Sequence, residues 1–231
     1  MLGEHARANE HQGMKYNGVV VGGLLLLSAV PLTAGAFRVI ELTGGAAITA
    51  ENARFFAAPI PVVTHIVSAL LFCVLGAFQY SASLRKIRPS WHRLGGRIAA
   101  PAGFAAALSG LWMTQFYAWS GYDSTALYVI RLLVGTAMVL SLMLALWSIR
   151  KGDIQSHMRW MTRAFALGIG AGTQVFTHIP WFVFPDMQGE LARTLSMAAG
   201  WTINLAVAER AIRRTSHVST RTPLEAQCLG K

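Results

Sequence analysis

Apolar residues occur in six long stretches separated by short polar segments. These stretches cover residues 18–37, 60–82, 95–117, 126–149, 160–184 and 191–209. A membrane-spanning helix needs roughly 20 consecutive, mainly apolar residues. Each stretch is close to that length or exceeds it, so the pattern predicts an all-α, polytopic transmembrane helix bundle of six spans.

The composition supports this interpretation. Hydrophobic residues make up 54% of the chain and charged residues only 13%, whereas soluble domains carry roughly 25% charged residues. We therefore expect three parts: a mobile N-terminal tail at 1–15, a six-helix transmembrane domain at 16–212 and a disordered cytoplasmic tail at 213–231. The last part is rich in Ser, Thr and Arg, as disordered segments often are.

The positive charges are distributed unevenly. If the N-terminus is cytoplasmic, sixteen of the twenty Lys and Arg residues fall on the cytoplasmic side. The opposite side holds only Arg38, Arg54, Arg131 and Arg193. An excess of Lys and Arg in cytoplasmic loops sets the orientation of membrane proteins. The sequence thus predicts a multi-pass protein of the cell inner membrane with both termini in the cytoplasm. Its net charge of +10 indicates anionic membrane lipids as partners, and not nucleic acid.

The end of the first stretch leaves one alternative open. "PLTAGA" (31–36) resembles a signal-peptidase site. The preceding apolar run is longer than a typical signal core of roughly 7 to 15 residues. We interpret it as a retained span, with cleavage as the alternative.

Helix starts are indicated by proline and by one acidic residue. Pro59 and Pro89 open the second and third spans, since proline suits the first helical turn. Asp153 is the expected N-cap of the fifth span. In the loop before the second span, "TAENARFF" (49–56) predicts a short interfacial helix with Thr49 as N-cap and with Phe55 and Phe56 on the lipid surface.

Four histidines outside the tails form two pairs by depth. His92 and His157 lie at the cytoplasmic rim, and His65 and His178 lie one to two turns inside the outer rim. Histidine binds metals and haem iron, and cofactor sites in bundles use facing helices at equal depth. A b-type haem between His65 and His178 is therefore one hypothesis. His157 and His178 are about 31 Å apart along one helix, which argues against haems at both depths.

The inner histidines have a second interpretation. They stand with four arginines at the starts of two spans. The set is His92, Arg93, Arg97, His157, Arg159 and Arg163. Free N–H groups at helix N-termini and nearby arginines attract phosphate. We therefore expect an anion- or lipid-binding cytoplasmic rim.

Arg131 lies five or six residues inside the fourth span, where a charge is costly unless it is paired or reaches the interface. The acidic residues available in the outer loops are Asp123, Asp186 and Glu190. We expect a polar outer cavity lined by Arg131, His65, His178 and Gln174. Extension of Arg131 to the interface is the alternative.

Small residues recur at helical spacing in two spans. They are Ala99, Gly103 and Ala107 with Gly96 and Gly110 in the third span, and Ala164, Gly168 and Gly172 in the fifth. This spacing lets helix backbones approach closely. If the two faces meet, His92 comes beside His157; the rival interpretation is a homodimer through one of these faces.

Motifs of hydrolytic enzymes and nucleotide-binding loops are absent from the sequence. We therefore favour a non-catalytic, accessory membrane protein with no identified metal set. The alternatives are a redox protein holding haem b and a small-solute or proton transporter.

Several motifs resemble one family. His65 at the start of a span, "HRLGGR" (92–97), "SGLW" (109–112) and "HMRWMTR" (157–163) are similar to bacterial polytopic membrane proteins of the domain of unknown function 2306. The resemblance covers roughly residues 60–185; it implies a membrane fold and leaves the activity open. A more distant likeness to six-helix b-type cytochromes rests on the helix count and the four histidines, and implies haem b.

Overall fold

The computed structural model describes the backbone of residues 2–184, 186 and 188–228, and the side chains of residues 18–184, 186 and 188–215. Helices and loops make up this part of the chain, and it contains no strand. The helices are α1 (Leu2–Thr43), α2 (Ala53–Ala57), α3 (Pro59–Gln79), α4 (Ala82–Ile87), α5 (Pro89–Phe116), α6 (Thr125–Arg150), α7 (Ile154–Gly168), α8 (Gly170–Thr177), α9 (Ile179–Val183) and α10 (Glu190–Cys228). The predicted all-α class is confirmed.

The tails are predicted at residues 1–15 and 213–231. Most of these residues lie outside the part of the chain whose side chains the structure describes. Both boundaries therefore stay predictions.

Three helices are long and apolar enough to cross a membrane: Gly18–Thr43, Pro59–Gln79 and Thr125–Arg150. Large apolar side chains on these helices are exposed, among them Leu26, Ile60 and Leu133. Soluble proteins rarely expose large apolar patches, whereas lipid tails solvate them readily. The chain is therefore a membrane protein with three candidate spans among its described residues.

The remaining predicted spans differ from these three in composition or continuity. The apolar part of α5 consists largely of alanine and glycine, which are less hydrophobic than leucine and valine. The fifth predicted span is divided into α7, α8 and α9.

The predicted helix starts are confirmed. Pro59 and Pro89 occupy the first turns of α3 and α5. The Asp153 carboxylate accepts a hydrogen bond from the Ser156 N–H at 2.9 Å. These residues suit a helix start because its first N–H groups have no partner within the helix.

Short connections make successive long helices antiparallel, which gives the bundle two ends. The Asp123 end comprises segments 44–58 and 117–124 and residues 184, 186, 188 and 189, and the Asp153 end comprises segments 80–88 and 151–153. At the Asp123 end, the Arg54 guanidinium donates to the Ala118 carbonyl at 3.1 Å, which ties two of these segments together.

The predicted N-cap of the short loop helix is wrong. α2 begins at Ala53, and Asn52 precedes it. The Asn52 side chain is buried, accepts from the Thr49 N–H at 2.6 Å and donates to Glu41 at 2.6 Å and to the Ala47 carbonyl at 3.0 Å. Asn52 therefore organises the turn that the sequence assigned to Thr49.

The centre of the bundle is the fully buried Phe72 ring on α3. A Cβ added at Gly103 of α5 would lie 2.8 Å from this ring, and one added at Gly168 of α7 would lie 2.6 Å from it. Phe165 of α7 covers Gly76 of α3 in the same way. At this level the Phe72 ring lies against the small-residue faces of both α5 and α7. That the two faces meet each other along their length stays a prediction.

A homodimer through the small-residue faces stays a prediction. At Gly103 and Gly168 these faces are filled by Phe72 of the same chain.

The helix that continues from α7 is interrupted at Ile169, and α8 begins at Gly170. In the turn before the break, the Ala166 carbonyl accepts a hydrogen bond from the Asn204 amide of α10 at 3.1 Å. The Asn204 carbonyl in turn accepts from the Thr173 hydroxyl at 2.6 Å. Polar side chains of neighbouring helices commonly satisfy backbone groups at such interruptions in membrane proteins.

Candidate functional site

A cavity of about 360 Å³ lies between α3, α5, α6, α8 and α10 and extends to the Asp123 end. We call it the Asp123 cavity. Its polar lining residues include Arg54, His65, Thr114, Tyr117, Asp123, Arg131 and Gln174. The structure therefore places three of the four residues predicted for an outer cavity on one surface. His178 does not belong to the lining.

The cavity is layered by depth. His65 lies six residues after Pro59, where α3 begins, and Arg131 lies six residues after Thr125, where α6 begins. Both helices start at the Asp123 end, so both side chains are attached about 9 Å along their helices. Together with Gln174 they form the polar layer of the cavity.

Phe72 and Met138 lie a further seven residues along the same two helices, about 10 Å deeper. With Leu167 and Trp201 they form what we call the apolar floor. Leu167 immediately precedes the end of α7, so the interruption at Ile169 adjoins the floor.

Asp123 holds two arginines at the cavity entrance. Its Oδ1 lies 3.1 Å from Arg131 Nη2 and 3.2 Å from Arg193 Nε, and its Oδ2 accepts from the Ser120 N–H at 3.1 Å. The carboxylate is 7% exposed. Burial raises the pKa of Asp123, but the hydrogen bonds from Arg131 and Ser120 and the charges of the arginines outweigh it, so the pKa lies below its ordinary value. Of the three acidic candidates for Arg131, the structure selects Asp123.

Phe55 lies between two guanidinium groups. The central guanidinium carbon of Arg38 is 4.5 Å from the ring centroid and that of Arg54 is 4.8 Å from it. Tyr117 packs edge-on against Phe55 with centroids 5.5 Å apart. Phe55 lines the cavity, so its predicted position on the lipid surface is wrong. Cation–π contacts hold it inward.

Arg54 is a partly buried cation beside the cavity entrance. Its Nε is buried and has no hydrogen-bond partner within the described part of the chain. Burial lowers the pKa of Arg54, Asp123 raises it, and the neighbouring Arg193, Arg131 and Arg38 lower it further. This crowding shows that the entrance carries more positive charge than its single carboxylate balances.

His65 has a defined hydrogen-bonding state. Its Nδ1 lies 2.9 Å from the Ala106 carbonyl oxygen and 3.3 Å from the Ser109 hydroxyl. A carbonyl only accepts, so Nδ1 carries the proton. In the neutral ring, Nε2 is then an acceptor.

Gln174 is oriented by α10. Its Nε2 donates to the Met197 carbonyl at 3.0 Å, and the Gly200 backbone passes close to its side chain. Gly200 has no Cβ, which lets α10 approach this close. The amide oxygen of Gln174 therefore points away from its backbone partner.

His178 follows the last residue of α8, and its Nδ1 donates to the Gln174 carbonyl at 2.8 Å. A haem b held by His65 and His178 stays a prediction, which the absorption spectrum of the purified protein tests. In the described part of the chain, no group of three or more His, Cys, Asp or Glu side chains is placed to hold a metal ion.

At the opposite end, a second cavity of about 360 Å³ lies between α7 and α10. We call it the Asp153 groove; it is lined by Ser156, Arg159, Trp160, Arg163, Glu209, Ile212 and Arg213. Arg163 makes a bidentate ion pair with Glu209, at 2.5 and 3.1 Å, and lies over the Trp160 ring at 4.6 Å.

The six predicted rim residues are therefore divided. Arg159 and Arg163 line the Asp153 groove, whereas His92, Arg93, Arg97 and His157 do not. His157 Nδ1 donates to the Ala145 carbonyl of α6 at 3.0 Å. His92 Nδ1 is buried without a partner among the described residues.

Arg54, Asp123 and Trp201 are the lining residues whose roles the sequence pattern only partly indicated. Asp123 was identified as one of three acidic candidates. Arg54 and Trp201 lie far along the chain from Arg131, and no spacing rule connects them with it. The one available signal for Arg54 is that it is one of four basic residues on the predicted outer side.

Comparison with known proteins gives one match. The family described as "Predicted membrane protein (DUF2306)" matches residues 62–212. This range contains both the Asp123 cavity, apart from Arg54 and Phe55, and most of the Asp153 groove. Searches of curated proteins and of solved structures give no match.

Proposed function

The chain belongs to the DUF2306 family of predicted membrane proteins, and on this premise we propose that it is a six-span, non-catalytic protein of the inner membrane that binds a small organic anion in the Asp123 cavity. Both termini lie in the cytoplasm in this proposal, so the Asp123 end faces outward. The observation that carries it is the meeting of Arg54, Arg131, His65 and Gln174 on one cavity with an apolar floor.

Two features support the six-span topology. α5 has 28 residues, and α7, α8 and α9 together run from Ile154 to Val183, so each path is long enough to cross a bilayer at roughly 1.5 Å per residue. Sixteen of twenty basic residues lie on the side proposed as cytoplasmic, as the positive-inside rule requires.

The charge balance favours an anionic ligand. Two arginines, Arg54 and Arg131, line the cavity together with the single carboxylate of Asp123. The lining thus carries an excess of one positive charge. Small-molecule sites commonly combine apolar walls with a few convergent polar groups in cavities of roughly 300 to 1,000 Å³, and the Asp123 cavity has this character.

The Arg131→Gln variant tests this function. We expect phenylacetate to bind the detergent-purified protein and to raise its Tm, and we expect the variant to bind it about 10- to 100-fold more weakly, since a charge-assisted hydrogen bond contributes roughly 1.5–3 kcal/mol. Isothermal titration at low ionic strength measures the affinity.

Arg193→Gln is the matched control. Arg193 pairs with Asp123 but does not line the cavity, so its loss is expected to weaken phenylacetate binding less than threefold (about 0.6 kcal/mol). Absence of phenylacetate binding to the unmodified protein, together with no binding of other carboxylates, would contradict the proposal.

A second candidate function, an anionic-lipid contact at the cytoplasmic rim, is favoured by the Asp153 groove. Arg159, Arg163 and Arg213 face a single carboxylate there, and Trp160 provides an aromatic surface suited to the membrane interface. This site retains two of the predicted rim residues and adds Arg213.

Substitution of Arg213 tests this second site. We expect Arg213→Gln to retain about fivefold less phosphatidylglycerol than the unmodified protein in native mass spectrometry, since one basic residue near an anionic surface contributes roughly 1 kcal/mol. Arg150→Gln, which removes an exposed arginine outside the groove, is the control. Equal lipid retention by the two variants would exclude a specific site.

A further inference from the structure

The polar groups of the Asp123 cavity are only partly used within the protein. Arg131 uses Nη2 for its contacts with Asp123 and with the Met197 sulfur at 3.6 Å. Its Nη1 and Nε have no partner among the described residues. Arg54 donates from Nη1 to the Ala118 carbonyl and its Nε is buried, whereas its Nη2 has no partner among the described residues and is not among their buried unpaired atoms. Donors for an anion therefore remain available on both arginines.

His65 and Gln174 present the opposite polarity. Because His65 Nδ1 donates to the Ala106 carbonyl, the neutral ring offers Nε2 as an acceptor. Because Gln174 Nε2 donates to the Met197 carbonyl, the amide offers Oε1 as an acceptor. Neither acceptor atom has a partner in the described part of the chain, and neither is among its buried unpaired atoms. Both are open to the cavity that their residues line.

The space below this layer is apolar. Phe72, Met138, Leu167 and Trp201 surround it, about 10 Å deeper along the helices. The whole cavity, including the polar layer, has a volume of about 360 Å³, which corresponds to roughly 12 water molecules at about 30 Å³ each. A small acid with one ring or a branched chain fits a cavity of this size.

We propose that the ligand is a carboxylic acid that also carries a hydroxyl or amino group and has an apolar body. Its carboxylate binds Arg131 and its apolar body contacts the apolar floor. Its hydroxyl shares one proton between His65 Nε2 and Gln174 Oε1 in a three-centre hydrogen bond, or its amino group donates to both acceptors. This assignment rests on the proposed anion-binding function and specifies its substrate class.

Matched ligands test each part of the assignment separately. Mandelate has all three features, phenylacetate lacks the hydroxyl group, benzyl alcohol lacks the carboxylate and lactate lacks the phenyl ring. We expect mandelate to bind about tenfold more tightly than phenylacetate, in line with one neutral hydrogen bond from its hydroxyl group. Lactate and benzyl alcohol are expected to bind more weakly than mandelate, and phenylalanine is expected to bind like mandelate.

Variants of the two acceptors test which residues carry the preference. In His65→Phe and in Gln174→Met, the ratio of mandelate to phenylacetate affinity is expected to fall below about threefold, while phenylacetate binding is retained. Either variant alone decides the point if the other does not fold. Thr114→Val is the matched control, because Thr114 lines the cavity but its hydroxyl already donates to the Gly110 carbonyl at 2.8 Å.

The outcomes separate this assignment from the function on which it rests. Equal binding of mandelate and phenylacetate overturns the assignment and leaves anion binding intact. A preference that survives in a folded His65→Phe or Gln174→Met protein, or that is lost only in Thr114→Val, also overturns it. Failure of every carboxylate to bind overturns the proposed function itself.

Discussion

Replacing Gly172 by alanine is expected to lower the Tm of the detergent-solubilised protein by roughly 6 to 12 °C. A Cβ at this position would overlap the carbonyl oxygen of Leu27 and approach its side chain to 2.8 Å. The carbonyl belongs to the backbone of α1 and cannot rotate away, so α1 and α8 must separate. Overpacking costs roughly 1–3 kcal/mol, and we expect the upper end, which corresponds to this shift in a chain of 231 residues.

Gly22→Ala provides the control for this experiment. Gly22 lies on the same helix as Leu27, and a Cβ there meets no atom within 4 Å. Alanine is intrinsically better than glycine in a helix by roughly 1 kcal/mol, so Gly22→Ala is expected to leave Tm unchanged or to raise it. Equal Tm values for the two variants would show that α1 and α8 do not pack as closely as described.

The second large effect is expected for Asp123→Asn. This change leaves Arg131 and Arg193 without their common carboxylate. Removal of one partner from a buried ion pair costs roughly 3–5 kcal/mol. Both arginine side chains are about a quarter exposed, so we expect the lower end, about 3 kcal/mol, measured as a lower Tm at neutral pH.

The effect of Asp123→Asn should depend on pH in a defined direction. The pKa of Asp123 in the folded protein lies below its ordinary value of 3.8. The stabilisation is therefore complete above that ordinary value and is lost as the pH falls through the lower, folded-state pKa. The Tm difference from the unmodified protein should be constant from neutral pH to about pH 5 and decrease in more acidic buffer.

Asp186→Asn is the matched control for Asp123→Asn. Asp186 also lies at the Asp123 end, after the short helix α9, but within the described residues it makes no ion pair with Arg131. We expect its Tm to match that of the unmodified protein at every pH. A similar Tm loss in both variants would mean that the ion cluster does not depend on Asp123.

The polar layer of the cavity could be anticipated to a large extent from the sequence. Arg131 and His65 are polar residues in apolar stretches at similar distances from the predicted outer surface. Helix rise converts these positions into depths without knowledge of the fold. Because a charge inside a membrane requires a partner or water, Arg131, His65, His178 and Gln174 were expected to share a cavity, and the structure places all of them except His178 in its lining.

The partners of these residues could not be derived in the same way. Three acidic residues were equally available to Arg131 by sequence, and only the loop conformation places Asp123 within 3.1 Å of it. Phe55 was assigned to the lipid surface from its hydrophobicity, but Arg38 and Arg54 flank it. Such contacts depend on the orientation of side chains from separate segments, which no local pattern specifies.

The sequence alone therefore determined the helical class, the start of α3, α5 and α7, and the depth of each polar residue, because these follow from local periodicity, capping and helix rise. Tertiary structure decided which helix faces meet. The small-residue spacing of α5 and α7 left open whether these faces meet each other or a second chain, and the Phe72 ring of α3 fills the space that Gly103 and Gly168 provide. A gap left by glycine accepts either a backbone or an aromatic ring, and only the packing of the whole bundle selects between them.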